Sequence, residues 1–467
     1  MFLGIDSSTQ SLTALILTAE GQPGQSVNIN FGRDLPQYNC PQGFLTGLPE
    51  AQVHAPPLMW LEALELAFSR LRQQGLDLSR IRGIGGDGQQ HGSVYLNARF
   101  TPTLAGLNPA QSLAEQLAPC LSRTTSPIWM DNSTVAECAE IAAALGGDAE
   151  VCRRSGSITT PRFTGPQIRA FAKRDPAAWE KTARVHLVSS FLSSVLAGRE
   201  APIDFGDGAG MNLMNLEAAA WDAPLLAATA KDLAAKLPPL ASAAKSFANI
   251  ASYFVDKFGF SPSCRILPFT GDNPASLVGM DAGSPGALVV SLGTSDTLFA
   301  AMPHPRVDPA GCGHVFGNPL GGFMSLACVR NGSLAREAFR DRLGASWADF
   351  EQAAFVSLPA DARTEPFLFD EITPRRAAGF SESRPDLSTP QRIRAFLEGQ
   401  AGNLRAQLDW MGLEPGLLLL TGGASKNDGI CTVFSQVFGC PVRRFELSDS
   451  AALGAARLAW QDAARST

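Results

Sequence analysis

Two short segments of this chain combine a carboxylate, hydroxyls and glycines at spacings that suit phosphate chemistry. Gly271-Asp272-Asn273-Pro274 puts a carboxylate in a turn directly ahead of a small-residue helical run, Ala275 to Met280. Backbone N–H groups at a helix N-terminus favour negative charge, so Asp272 is expected to be held ionised and ready to accept a proton. Downstream, a β-branched strand from Ala287 to Leu292 ends in Gly293-Thr294-Ser295, and glycine there lets a phosphate approach the main chain closely. Residues 6–10, Asp6-Ser7-Ser8-Thr9-Gln10, repeat the pattern: a strand from Phe2 breaks into a hydroxyl-rich turn led by an acid, and apolar residues resume at Leu12. The recurrence predicts two similar domains, each giving one turn to a shared phosphate site. The same residues also suit a plain strand–turn–helix in which Asp272 is only an N-cap.

Other polar clusters sit where predicted strands end. A buried strand over Ile81 to Gly85 runs into Asp87, then Gln89-Gln90-His91, a group able to hydrogen-bond a polyol. A lone histidine is as readily a structural one. Trp129-Met130-Asp131-Asn132-Ser133-Thr134 precedes a helix over 135–145, and Asp131 has the residue type of its cap. Arg162 lies in a Pro-Arg-Phe-Thr-Gly turn, where a surface arginine is the plain alternative. Residues 202–210 form a glycine-rich acidic loop that reads as lining a site, and a strand over Leu417 to Leu420 empties into Thr421-Gly422-Gly423-Ala424-Ser425-Lys426-Asn427. Gly83, Gly85 and Gly88 match G-x-G-x-x-G, but the match opens no helix and no acid follows about 20 residues on, so a dinucleotide fingerprint is rejected.

These turns need helices and strands to hold them. Pro56-Pro57 opens a helix with apolar residues at Leu58, Leu61, Leu64, Phe68 and Leu71, stopped at Gly75. Further helices are predicted over 333–342, 390–411, 428–438 and 450–463, and residues 217–250 read as helical before drifting into loop. With 467 residues, two domains are expected, and composition places the boundary near 250, giving domains 1–250 and 251–467. A net charge of −6 argues against nucleic-acid or anionic-membrane partners. The N-terminus has no leader pattern, and no apolar run reaches the ~18 residues that would span a bilayer. Nine cysteines without a Cys-x-x-Cys pair suit reduced thiols in a cytoplasm.

The ordered set DSSTQ (6–10), RDLP (33–36), GQQHGS (88–93), WMDNST (129–134), RFTG (162–165), IDFGDGAGMNL (203–213), FTGDNPASLVGM (269–280), VSLGTSDTLF (290–299), NGSL (331–334) and TGGASKN (421–427) resembles the FGGY carbohydrate kinases across nearly the whole chain. The resemblance implies an α/β, two-domain actin/Hsp70-like ATPase (ribonuclease H-like) fold with a central interdomain cleft. It implies phosphorylation of D-xylulose by ATP with Mg²⁺. Asp272 would be the general base. Asn273, Gln90, His91 and Arg162 would bind the sugar, with Asp272 placed on the ATP-binding side. Asp6 would face the metal. Thr9, Gly293 and Thr294 would bind phosphates, and Gly422, Gly423, Ala424 and Asn427 the adenosine, with Trp347 packed nearby. The wider family usually has glycine where Ser8 stands and often a basic residue near Thr13. Ribulose or ribitol as substrate, or a non-catalytic sugar or nucleotide sensor, are the alternatives, and a homodimer is left open.

Overall fold

The computed structural model describes residues 1–445 and 449–465. Phe2–Ser7 pairs antiparallel with Ser11–Leu17, setting Phe2 opposite Leu17 and Asp6 opposite Thr13. Pro23–Asn30 continues the meander. On the other side Gly83–Gly88 lies parallel to the first strand, with Asp6 opposite Asp87. Arg265–Ile266 and then Thr270–Gly271 pair parallel with successive parts of Gly83–Gly88. Ser11–Leu17 reads as an apolar run because helices cover both faces of this sheet, Pro57–Gln73 on one and Ser450–Ala464 on the other. The helix Pro57–Gln73 follows its sequence pattern: Leu61, Leu64, Phe68 and Leu71 are fully buried.

The helix Ser450–Ala464 approaches the sheet and the helix Asp272–Gly279 backbone to backbone. A Cβ added at Gly4 would lie 1.8 Å from the Ala452 carbonyl oxygen, and one at Gly85 would lie 2.1 Å from that of Ala455. The two helices meet the same way: an added Cβ at Gly279 would lie 1.8 Å from the Ser450 carbonyl oxygen, and one at Gly454 would lie 1.9 Å from that of Ala275. Glycine in a strand interior is otherwise weakening; here it admits a neighbouring main chain.

A second sheet repeats the first pattern. Ala287–Leu292 pairs antiparallel with Asp296–Met302, which pairs with Phe323–Val329. Leu417–Thr421 is parallel to Ala287–Leu292, and Val442–Arg444 is parallel to Leu417–Thr421. The helices Thr389–Arg405 and Asp428–Phe438 pack together beside it. The stretch 217–250 holds only short helices, Ala223–Thr229 and Leu233–Lys236, among two-residue strands.

The chain divides into one compact unit of residues 1–279, 316–321 and 449–465 and another of residues 280–315 and 322–445. The boundary expected near 250 is therefore corrected. Asp272 belongs to the first unit, not to the second domain, because Thr270–Gly271 pairs with Gly83–Gly88 and the following helix packs on Ser450–Ala464.

Gly454→Ala should lower stability by about 1–3 kcal/mol, since its Cβ overlaps a main-chain oxygen that cannot rotate away. Gly402→Ala, on a helix where the new methyl meets nothing within 4 Å, should stabilise by about 0.5–1 kcal/mol. Urea unfolding of both variants checks the contrast; a Gly454→Ala protein as stable as the parent would count against the packing argument.

Candidate active site

In the first unit, acids converge at the ends of the parallel strands. Asp6 and Asp87 are cross-strand partners. Asp87 is fully buried and Asp6 partly so, and neither Asp87 oxygen nor Asp6 Oδ1 has a conventional donor. Burial, then the Asp6 charge, pushes the Asp87 carboxyl well above the usual carboxylate range. Asp6 is raised too, by burial, while its contact with Asp87 opposes the rise. Two carboxyls facing each other away from water cannot both stay ionised at little cost, so the pair favours holding a proton. Asp207 is also buried and raised by burial; it accepts from Ser189 Oγ, and its Oδ1 has no partner. Asp204 accepts from Thr270 Oγ1 and from the Gly206 and Ala243 N–H groups, and so ties the 203–206 turn to the strand that leads into Asp272.

Asp272 is the first residue of the helix Asp272–Gly279. Its Oδ1 accepts from the Asn273 N–H at 2.8 Å and Asn273 Nδ2 at 3.0 Å. Pro274 follows, so the residue that an N-cap would reach first has no N–H to give. Burial pushes the Asp272 carboxyl up to about 6, against hydrogen bonds from the Asn273 and Gln90 backbones. The expectation that a helix N-terminus would favour its charged form is thus corrected: loss of water outweighs the aligned N–H groups. Asn273 Nδ2 also donates to Gln90 Oε1 at 2.9 Å, and Gln90 Nε2 is buried without a partner.

His91 has φ 72°, in the left-handed region that glycine favours, and is buried. Its Nδ1 lies 2.7 Å from the Gly210 carbonyl oxygen, and its ring stacks on Phe163 at 4.1 Å. The Arg162 guanidinium lies 5.8 Å from the centre of the same Phe163 ring. Phe163 therefore joins the two. Thr9 Oγ1 accepts from the indole of Trp129 at 2.8 Å. Ser8 keeps the first turn closed by bonding the Ser11 carbonyl through both its N–H and its hydroxyl. Thr13 accepts from Asn28 Nδ2. Asp131 does not cap the helix Val135–Ala144, whose N-cap position is Thr134; it receives His54 Nε2 at 3.2 Å and Gln167 Nε2 at 2.8 Å.

In the second unit a cavity of ≈ 640 Å³ is lined by Gly293, Thr294, Ser333, Trp347, Gly423, Ala424 and Asn427, among others. Gly422 stands behind it at φ +87°, where a Cβ would meet the Leu292 carbonyl oxygen at 2.6 Å. Asn427 caps the helix Asp428–Phe438 through Oδ1 and donates Nδ2 to the Trp347 carbonyl oxygen at 3.1 Å. The cavity thus combines a Gly-Thr turn, the Gly423-Ala424 strand end and an indole, surfaces suited to phosphate and to a planar base. Among the described residues, no three His, Cys, Asp or Glu side chains are gathered to hold a metal ion.

The sequence placed Asp204 and Asp207 in a site-lining acidic loop without giving either a role, and gave Asp87 none. Strand register carries the signal for Asp87, since a parallel strand aligned with Phe2–Ser7 sets it opposite Asp6.

The paired sheets and their turns define a two-domain ATPase fold of the actin and Hsp70 type. A crystal structure of a xyloylose kinase from Brucella ovis matches with TM-score 0.82 and 25% identity, covering 99% of this chain and 90% of that one. The models for the N-terminal and C-terminal domains of the FGGY family of carbohydrate kinases match residues 118–279 and 288–462. The chain is 38% identical to xylulose kinase of Rattus norvegicus over 478 residues, spanning 100% of this chain and 89% of the relative. It is also 38% identical to xylulose kinase 2 of Arabidopsis thaliana over 481 residues, 98% of this chain and 86% of the relative. This chain belongs to the FGGY family of carbohydrate kinases. Family membership makes it an ATP-using sugar kinase. Among the described residues no helix is long and apolar enough to cross a membrane.

An acid whose folded pKa lies above its unfolded value of about 4 takes up a proton on folding, so it favours the fold at low pH and opposes it as pH rises. Asp87→Asn keeps a donor toward Asp6 and removes that titration. Its Tm should exceed the parent's at about pH 8 and the gap should shrink toward about pH 5. Parallel Tm profiles would show that Asp87 carries no such penalty.

Proposed function

We propose that this chain transfers the γ-phosphoryl group of ATP to D-xylulose, giving D-xylulose 5-phosphate and ADP. Full-length similarity to relatives named xylulose kinase supports the substrate. The observation that carries the chemistry is Asp272: a partly buried carboxyl pushed up to about 6, flanked by Asn273 and Gln90. Such a group is ionised at neutral pH yet basic enough to accept a hydroxyl proton, a contribution of about 10²–10⁴-fold.

Asn273 and the unpartnered Gln90 Nε2 bond sugar hydroxyls, and His91 and Arg162, joined through Phe163, hold the rest of the sugar. A site that bonds hydroxyls rejects analogues lacking them, because its buried donors are then unpaired. In the second unit the Gly293-Thr294 turn takes phosphates, Gly422, Gly423, Ala424 and Asn427 take the adenosine, and Trp347 packs on the base. Thr9 keeps a hydroxyl proton to donate while accepting from Trp129. Mg²⁺, when bound, neutralises phosphate charge. Asp6 fits that ion, because one of its oxygens is buried without a partner and Mg²⁺ needs only one or two carboxylates besides water and phosphate. We read the chain as working in a reducing cytoplasm, in keeping with nine cysteines of which none is joined in a disulfide.

A coupled ADP-release assay over xylulose, ribulose and ribitol tests the substrate. Xylulose should give the highest kcat/KM; a preference of about tenfold or more for either other compound would overturn that assignment.

Asp272→Asn is nearly isosteric and cannot take a proton. It should fold normally, bind sugar and ATP within a few-fold, and lose about two to four orders of magnitude in kcat. The parent's kcat/KM should fall as pH drops through about 6, where Asp272 protonates. Near-normal turnover in the folded variant, or no acid limb in the parent, would remove Asp272 from the base role.

A further inference from the structure

Asn331-Gly332-Ser333-Leu334 supplies Ser333 to the cavity of the second unit, and its other contacts form a dense buried network. The Gly293-Thr294-Ser295 turn joins Ala287–Leu292 to Asp296–Met302, so Asp296 is the first strand residue after the turn. The turn's carbonyls cap the helix Ser333–Leu343: the Ser333 N–H donates to Gly293 at 2.9 Å and the Leu334 N–H to Thr294 at 3.4 Å. Gly332 is tight against Asp296, where an added Cβ would lie 2.6 Å from the Asp296 nitrogen.

One turn into that helix, Arg336 is completely buried. Its guanidinium grips both Asp296 oxygens, at 2.7 and 2.8 Å, and also donates to Ser333 Oγ at 2.9 Å and Gln400 Oε1 at 3.2 Å. Gln400 Nε2 returns to the Asn331 carbonyl oxygen at 2.6 Å. Asn331 is held in turn by Glu371, which accepts its N–H at 3.1 Å and its Nδ2 at 2.9 Å, along with the Arg330 N–H. The network reaches Asp296, the first residue after the turn, and Ser333, whose N–H donates to the turn's Gly293 carbonyl. A planar fork that meets a carboxylate at two points fixes orientation as well as distance.

We infer that Arg336, braced by Gln400 and by the Asn331–Glu371 contact, is a positioning residue that holds the Gly293-Thr294 turn in the conformation that binds nucleotide phosphates. Arg336 does not line the cavity; it acts through Asp296 and Ser333. The inference rests on the nucleotide reading of that cavity.

The test compares Arg336→Lys, which keeps charge but loses the fork, with the double variant Arg336→Met/Asp296→Asn, which leaves no unpaired buried charge. Arg392→Lys, at an ion pair with Glu382 away from the turn, is the control. ADP is titrated calorimetrically, and ATP and D-xylulose KM, kcat and Tm are measured. Loss of placement should raise ADP Kd and ATP KM about tenfold and cut kcat by about 10–100-fold in both Arg336 variants. Sugar KM should stay within about twofold, and the control should match the parent. Unchanged nucleotide parameters in either folded variant, or an equal rise in sugar and ATP KM, would overturn the inference while parental ADP binding still stood. A parent that binds no ADP, or whose ADP affinity survives Trp347→Ala, would instead defeat the reading of the cavity and this inference with it.

Discussion

The first unit depends on a main-chain contact between its two sequence extremes. Gly4 and Gly85 lie against the carbonyls of Ala452 and Ala455, and any side chain at either glycine would push the terminal helix off the sheet. Successive residues of a strand point to opposite faces, so Gly4 shares a face with Asp6 and Gly85 with Asp87. The neighbour of Gly83 is Ala459 and that of Gly85 is Ala455, so the helix runs antiparallel to these strands. Its N-terminal end therefore lies toward the strand ends that carry the two acids, where the helix dipole favours negative charge. The same helix grips Asp272–Gly279 through Gly279 and Gly454. One packing constraint thus sets three carboxyl groups in place.

That arrangement has an electrostatic consequence. Asp6, Asp87, Asp207 and Asp272 are close enough to be influenced by one another, and burial raises every one of them. They divide by environment. Asp87 and Asp207, fully enclosed, are pushed well above the usual carboxylate range. Asp272 is partly open and bonded to Asn273, and settles at about 6. Asp6, also partly open, is raised to about 7, so burial and the neighbouring carboxyls together set the order. Stability is sacrificed for this, since protonated acids are poor substitutes for packed apolar groups, as expected where a fold serves chemistry.

Much of this was legible in the chain itself because the signals are local. The strand–turn–strand pattern at Asp6 to Thr9 and at Gly293 to Ser295, the amphipathic helix from Pro57, and the final helix from Ser450 all follow from periodicity and turn residues within a few positions. What was missed is non-local. Composition put a boundary near 250, yet Thr270–Gly271 pairs with a strand almost 200 residues earlier and carries Asp272 into the first unit. Asp131 has the residue type of a cap but is claimed by His54 and Gln167, from distant parts of the chain. The sign of the Asp272 shift was misjudged because the helix terminus is visible in sequence and the burial is not.

The two sheets use one topology for opposite electrostatic ends. In each, an antiparallel hairpin is flanked by a parallel strand, and a hydroxyl-rich turn joins the hairpin. In the first, the acid lies before the turn, at Asp6, and one of its oxygens is left without a donor. In the second, the acid lies after the turn, at Asp296, and Arg336 satisfies both oxygens. An unsatisfied carboxylate can take a cation or share a proton; a neutralised one cannot, and its turn is free to offer N–H groups and a hydroxyl to an anion. Matched by hairpin register, Asp6 corresponds to Ser291, so the acid of the second turn lies five residues further along and is paired with a buried arginine. The proposed roles, Asp6 toward the metal and Gly293 and Thr294 toward phosphates, are consistent with that difference in pairing.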